Sequence, residues 1–371
     1  MLTLRGADTY TAGVLRRTSL RRAVPVVVFN VIVAALLTEL TLFAALRLPA
    51  ATAHAPDIVR GFVQKIYRHF QRNLIQYDSE CARYDPWLGY TLKPGVCEFG
   101  NLEFSNQFRI NTRGLRDEES ALAAPEVVFL GDSQAMGWGV AQEEAMPQAL
   151  ARRTGLRVLN AAVSSYGTVR ERRLLDTLDR SALRAVVIQY CDNDSPENQA
   201  FANAGGRLET MSEARYRDAA AVTARDTRYY PGKYVFRLVL KALRLERPEV
   251  EQARLDPTMT PAEEARLFIR AFLEAGQADL DAMPLVVFEI NSNLAVRRQF
   301  IQALGEVKQD PAYPPVIRNM TLIETEGVLD RRDFYVVDDH LTARGNDVVA
   351  GLVARALADA GVLPPASARR P

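Results

Sequence analysis

The sequence predicts an α/β chain: a three-layer parallel sheet with helices on both faces, carried behind one apolar N-terminal helix. Three observations predict it. Short β-rich runs at 126–130, 157–160, 185–190, 285–290 and 334–337 alternate with helical stretches such as Glu143 to Thr154, Val169 to Arg180 and Thr342 to Ala360, the alternation of a sheet covered on both sides. Three of the runs stop abruptly in polar residues, at Gly131-Asp132-Ser133, at Cys191-Asp192-Asn193 and at Asp338-Asp339-His340. In an open α/β sheet, ligands bind outside the carboxyl ends of strands, where these side chains fall. Finally, Val24 to Leu46 is nearly all apolar.

Residues 1–23 carry Arg5, Arg16, Arg17, Arg21 and Arg22 against one acid, Asp8. As a helix rising about 1.5 Å per residue, 24–46 reaches roughly 35 Å, enough to cross a hydrocarbon core. The arginines before it predict a cytoplasmic amino terminus, a single pass through the inner membrane, and a periplasmic or extracytoplasmic remainder. A cleaved secretory signal is the alternative, with Ala51-Thr52-Ala53 suiting a peptidase; the length of the apolar run favours a retained anchor, and export follows either way. Glu39 lies inside the run, where a carboxylate marks a contact to a partner helix or an interfacial position.

Residues 47–80 read as an amphipathic helical linker. Ile58, Val59, Phe62, Val63, Ile66, Tyr67, Phe70, Leu74 and Ile75 recur at helical spacing between Arg60, Lys65, Arg68 and Arg72, and that basic face suits either anionic lipid or the domain that follows. Residues 81–125 change to a small β-rich lead-in, with Cys81 and Cys97 bracketing its first half. In an oxidising compartment these two can close a disulfide worth about 3 kcal/mol in the chain-entropy model. Cys191 is then left over and, at a strand end, is expected to be buried.

The main domain is expected over 126–362, with 363–371 a frayed Pro/Ala/Arg-rich tail. The gap from about 195 to 283 is too long for one crossover, so it predicts an inserted helical subdomain, with helices over Tyr234 to Leu245 and Pro261 to Ala275. Arg228-Tyr229-Tyr230-Pro231 can present aromatics to a sugar or simply pack the insertion.

Ser133 is a candidate nucleophile at a strand end. The chain has 3 histidines, and two of them, His54 and His69, lie near the amino terminus. His340 is thus the base available to the main domain, with Asp338 and Asp339 beside it to orient the ring. Asn193 offers a side-chain amide to a developing oxyanion.

In these blocks the chain resembles the SGNH hydrolases, also called GDSL-type esterases. The matching pieces, in the family's order over about residues 126–360, are Gly131-Asp132-Ser133, then Asn160-Ala-Ala-Val-Ser-Ser-Tyr-Gly167, then Asn193-Asp194, then Asp338-Asp-His340. The resemblance implies a flavodoxin-like sheet, Ser133 as nucleophile, His340 as base and Asp338 holding the imidazole. It also implies an oxyanion hole made by the Ser133 N–H, an N–H of the second block and the Asn193 side chain. The second-block glycine position is occupied by Ser165, and the third block carries Cys191 where a glycine is usual. The common acid-to-histidine spacing would fall on Val337, which cannot serve. The shorter Asp-x-His spacing selects Asp338, with Asp339 as fallback, and is similar to that of periplasmic polysaccharide O-acetylation proteins such as those acting on alginate. The run Gly-Tyr-x-Leu-Lys-Pro-Gly before Asn-x-x-Gly-Leu-Arg116 looks like the preamble often found before this domain in exported bacterial proteins.

Net charge is +1 with 25% charged residues and no basic block outside the anchor flank, so nucleic acid is not an expected partner. No Cys/His cluster has metal-ligand spacing, Gly137-Trp138-Gly139 lacks the lysine of a phosphate loop, and no cofactor or metal is expected. An α/β-hydrolase is the nearest rival, but it places several strands before its serine. Three functions follow. The first is an esterase cleaving O-acyl, chiefly acetyl, esters of an envelope carbohydrate. The second is a periplasmic O-acetyltransferase with the same triad, fed by a membrane acyl-donor partner. The third is a non-catalytic polysaccharide-binding scaffold.

Overall fold

The computed structural model describes residues 8–245, 258–291 and 299–363. The expected tail from 364 onward lies outside the described residues, as do residues 1–7 of the basic segment. The chain begins with α1 (Asp8–Arg47), in which Ala23–Arg47 is long enough and apolar enough, at mean hydropathy 2.3, to cross a membrane. The short α2 (Pro49–Ala53) turns the chain into α3 (Asp57–Phe70), which buries Val63, Ile66, Tyr67 and Phe70 at helical spacing.

Two antiparallel hairpins follow. β1 (Ala82–Asp85) pairs with β2 (Gly89–Leu92), and β3 (Gly95–Gly100) pairs with β4 (Ser105–Ile110). Cys81 and Cys97 form a disulfide between the two hairpins, and Cys191 is free and buried.

The central sheet starts with β5 (Val127–Leu130), four buried apolar residues that lead into α4 (Ser133–Met136). Then come α5 (Met146–Thr154), β6 (Val158–Asn160), α6 (Thr168–Asp176) and β7 (Ala185–Tyr190). After β7 the chain runs through α7 (Asp194–Asn203), α8 (Glu213–Asp226), α9 (Lys233–Ala242) and α10 (Pro261–Glu274) before β8 (Leu285–Glu289). It closes with α11 (Phe300–Val307), α12 (Pro315–Arg318), β9 (Thr321–Ile323) and α13 (Ala343–Asp359). The five strands are all parallel, in the order β6-β5-β7-β8-β9. One apolar cluster joins Phe129, Val187 and Phe288 to α5 and α13, and a second joins Val128, Ile188 and Val287 to α6, α10 and α11. This is the three-layer, flavodoxin-like arrangement that the β-α alternation predicts.

Two expectations are corrected. The run Phe334–Val337 is not a sheet strand; it forms a loop with one antiparallel bridge from Phe334 to Leu341, and the fifth strand is β9. Val337 is buried against α1 and α3 rather than in the sheet, and the backbone N–H groups of Val336, Val337 and Asp338 donate to the Glu103 carboxylate instead of to a neighbouring strand. The short Thr-Leu-Ile of β9 was invisible because three residues at a sheet edge carry no periodicity. The insertion is also narrower than 195–283: Ala265, Phe268, Ile269 and Phe272 bury α10 in the main core. That makes α10 the ordinary crossover helix between β7 and β8, started by Pro261 and a Thr260–Glu263 capping box.

Candidate active site

From β5 the chain crosses to β6 on one side and then back past β5 to β7 on the other, so the direction of winding reverses at β5, which is where crevices open in such sheets. Ser133 sits immediately past the end of β5. The turn needs Gly131: its φ is +151°, and an added Cβ would meet Ala135 Cβ at 2.7 Å and Gln189 Oε1 at 2.8 Å. Asp132 then caps α4, accepting from the Gln134 N–H at 2.8 Å.

The loop between β9 and α13 brings His340 to the same edge. His340 Nε2 lies 2.8 Å from Ser133 Oγ, and Nδ1 lies 2.5 Å from Asp338 Oδ1. These are hydrogen-bond distances on both sides of one imidazole ring. Ser133 is 8% exposed and His340 4%. The loop is held from two sides. Gln134 donates to the Asp339 carbonyl and accepts from the Leu341 N–H, each at 3.2 Å, while the Glu103 carboxylate takes three successive N–H groups at 2.7 to 2.9 Å. Burial nevertheless pushes the Glu103 carboxyl above its ordinary value.

The Asp338 carboxylate is fully engaged. Its Oδ1 faces His340, while Oδ2 accepts from the Tyr67 hydroxyl at 2.5 Å and from Trp138 Nε1 at 3.3 Å. Burial favours its neutral form, but the His340 charge and hydrogen bond, with Arg72 and Tyr67, outweigh that and hold its carboxyl below the ordinary value. The Trp138 ring stacks on His340 at 4.7 Å between centroids, 15° from parallel, which fixes the plane of the imidazole. Asp339, the fallback orienter, turns the other way: it pairs with Arg72 at 3.0 Å and Arg68 at 3.5 Å, and lies 3.6 Å from His340 Nδ1.

The three proposed oxyanion donors follow β5, β6 and β7. Among the described residues, the backbone N–H groups of Ser133 and Ser165 donate to no protein acceptor. Ser165 has φ +56°, the left-handed conformation that a glycine at this position would adopt at no steric cost. Its side chain accepts from Gln76 Nε2 at 3.1 Å, a tertiary bond to a residue that precedes the lead-in hairpins. Asn193 donates through Nδ2 to Asp132 Oδ2 at 2.9 Å, which uses one amide hydrogen and leaves the other for a ligand. Burial pushes the Asp132 carboxyl upward, against the pull of these hydrogen bonds and of His340. Asp338, Asp339 and His340 also lie close enough to form a ligand cluster, but the Asp338 and His340 atoms that would bind an ion already face each other and Ser133, so the group fits a proton relay better than a metal.

Several site residues escaped the sequence reading. In the sequence Tyr67 belongs to an apolar helical stripe and Trp138 to a short Gly-Trp-Gly loop without a phosphate-loop lysine, while Arg68 and Arg72 lie on the basic face that suits anionic lipid or the following domain, and it is Asp339 of that domain that they meet. The one signal that could have found Trp138 is its place five residues after Ser133. Of the sugar-facing tyrosines, Tyr229 packs instead, 4.8 Å from Phe43 and bonded to Glu39, while Tyr230 is exposed.

No family model matches the chain, and no curated protein matches it. Among solved structures, the chain is similar to one named a GDSL-like lipase from Bacteroides ovatus, with 13% identity and a TM-score of 0.36, over 65% of this chain and 54% of that one. This chain therefore spans about half the length of that structure. It is also similar to one named a lipolytic protein of the G-D-S-L family from Desulfitobacterium hafniense, with 12% identity and a TM-score of 0.32, over 62% of this chain and 98% of that one.

Proposed function

We propose that the protein is a serine esterase acting on O-acyl, chiefly acetyl, esters of an envelope or extracellular carbohydrate, held at the inner membrane by residues 24–46 with its catalytic domain in the periplasm. One observation carries the reading: Ser133 Oγ, the two ring nitrogens of His340 and Asp338 Oδ1 form a continuous relay at 2.8 and 2.5 Å. His340 Nε2 takes the hydroxyl proton as Ser133 Oγ attacks the ester carbonyl, and Asp338 fixes the tautomer and stabilises the imidazolium. The Ser133 and Ser165 N–H groups and the Asn193 amide receive the negative oxygen of the tetrahedral intermediate. His340 then gives its proton to the departing sugar oxygen, which leaves as a hydroxyl, and an acyl-Ser133 ester remains. Water, deprotonated by His340, releases the carboxylic acid and restores Ser133.

The near-complete burial of Ser133 and His340 favours a second reading, in which a sugar hydroxyl replaces water as the acceptor and the protein is an O-acetyltransferase supplied by a membrane partner. Incubation with an acetyl-ester donor, with and without oligosaccharide, separates the two. Free acetate without acceptor supports the esterase; acetylated sugar with little free acetate supports the transferase. If wild-type protein gives neither product and Ser133 fails to react with a fluorophosphonate, the non-catalytic scaffold reading replaces both.

A further inference from the structure

The end of α1 nearest the catalytic domain is clasped by α9. Glu39 accepts from the Val235 N–H at 3.0 Å and from the Tyr229 hydroxyl at 3.1 Å. Val235 lies in the first turn of α9, where a helix leaves N–H groups without internal partners, so the carboxylate caps it. Leu42 and Leu46 bury with Tyr234 in one apolar cluster.

The faces of α9 are inverted relative to a helix on a soluble surface. Its polar residues face the protein: Lys233 and Tyr234 bond to Gln71 at 3.3 and 3.1 Å, and Arg237 pairs with Asp226 at 2.9 Å and lies over the Phe70 ring. Its apolar residues Phe236, Val239 and Leu243 recur at helical spacing and are 53%, 48% and 62% exposed. On α1, Leu36, Leu37 and Leu40, which flank the Glu39 bonded to α9, are exposed apolar residues as well. Lys241, near the C-terminal end of α9 with its Nζ 5.9 Å from the Phe70 ring centroid, and Arg244, two residues past that end, are exposed.

Depth decides what covers this face. From Ala23, where the membrane-length segment begins, to Glu39 the helix rises about 24 Å at about 1.5 Å per residue. A hydrocarbon core is about 30 Å thick, so an upright α1 puts Glu39, and the start of α9 bonded to it, about 6 Å inside the far boundary. Amphipathic interfacial helices lie at about 5–10 Å into that boundary.

We propose that α9 is an interfacial membrane helix. Phe236, Val239 and Leu243 sit among the acyl chains of the leaflet on the catalytic-domain side, and Lys241 and Arg244 meet anionic headgroups. The proposal rests on α1 being a membrane anchor. Its consequence for the site is geometric. The α9 contacts run through Gln71 and Phe70 to α3, which carries Tyr67 and its hydrogen bond to Asp338, so the triad works at the membrane surface, within reach of an ester or acyl donor presented by a lipid-held partner.

The test uses the full chain in nanodiscs of phosphatidylethanolamine and phosphatidylglycerol. The substitutions Phe236→Cys, Val239→Cys, Leu243→Cys, Leu36→Cys and Arg225→Cys are made one at a time and labelled with an environment-sensitive fluorophore, and quenching by doxyl-labelled lipid is read after each variant is shown to retain wild-type circular dichroism. The three α9 positions should lose most of their emission, as Leu36 does, while Arg225, 62% exposed on α8, keeps its own. Leu36 quenched with the α9 positions unquenched overturns the proposal and leaves the anchor standing. Quenching on α9 without quenching at Leu36 removes the anchor and, with it, the depth that places α9 at the interface, and so overturns the proposal together with the anchor. Emission on α9 that is blue-shifted but insensitive to doxyl lipid means a protein partner or second copy covers the face, and also overturns it.

Discussion

The Tyr67 hydroxyl, on a helix well before the central sheet, donates a 2.5 Å hydrogen bond to Oδ2 of Asp338. The other carboxylate oxygen is the one that faces His340. The segment between the apolar N-terminal helix and the sheet domain therefore reaches directly behind the triad.

Removing that donor should slow the reaction without weakening substrate binding. A hydrogen bond to a charged group contributes about 1.5–3 kcal/mol, so Tyr67→Phe is expected to lower kcat by about tenfold to a hundredfold with KM little changed. As a positioning residue Tyr67 should also move the acid limb of the kcat/KM profile when substituted. An unchanged profile with a proportional loss of folded protein would make its role purely structural.

Ser133→Ala should keep the fold and lose turnover by at least about a thousandfold. Fluorophosphonate labelling, read by intact-protein mass spectrometry, should disappear with it. Labelling that persists in the variant would move the nucleophile elsewhere.

The two neighbouring acids should separate cleanly. Asp338→Asn should cost about 10³–10⁴ in kcat through the wrong tautomer of His340. Asp339→Asn should cost far less, because Asp339 spends its carboxylate on Arg72 and Arg68. Steady-state rates of the two variants, measured side by side, check the order; the reverse order would make Asp339 the orienter.

Glu171 supplies a prediction about stability. It is buried on α6, neither carboxyl oxygen has a hydrogen-bond partner among the described residues, and burial followed by the charges of Asp194 and Asp132 raises its pKa well above 4.5. The folded chain holds the proton while the unfolded chain releases it near 4.5, so stability falls as pH rises above that value. Glu171→Gln removes this slope. Its melting temperature should exceed wild type at pH 8 and approach it at pH 5, with a shift of about 2–4 °C for each kcal/mol in a domain of this size. Calorimetry at the two pH values tests it, and equal shifts at both would show that Glu171 does not change protonation on unfolding.

The disulfide gives a last test. Cys81 and Cys97 enclose a sequence separation of 16, and removing the cross-link by Cys81→Ala with Cys97→Ala should destabilise the chain by about 3 kcal/mol. Denaturant melts of the pair variant against oxidised wild type measure it; coincident curves would make the bond dispensable.

Sequence alone determined the parts of this protein whose causes are local. The apolar length of 24–46, the β-α alternation, the β-rich character of the lead-in and the strand-ending Gly131-Asp132-Ser133 all follow from runs of a few residues, because hydrophobic period and turn chemistry act over such distances. The lone histidine of the main domain was legible by elimination. Only the tertiary structure decided which carboxylate faces His340, since Asp338 and Asp339 are neighbours in sequence and part only when Arg72 and Arg68 draw one of them away. It also decided that Phe334–Val337 leaves the sheet to donate to Glu103, that α10 belongs to the main core, and that Tyr67 and Trp138 stand behind the triad. Those outcomes depend on contacts between residues tens to hundreds of positions apart, and a side chain's local pattern does not state what the folded chain will bring beside it.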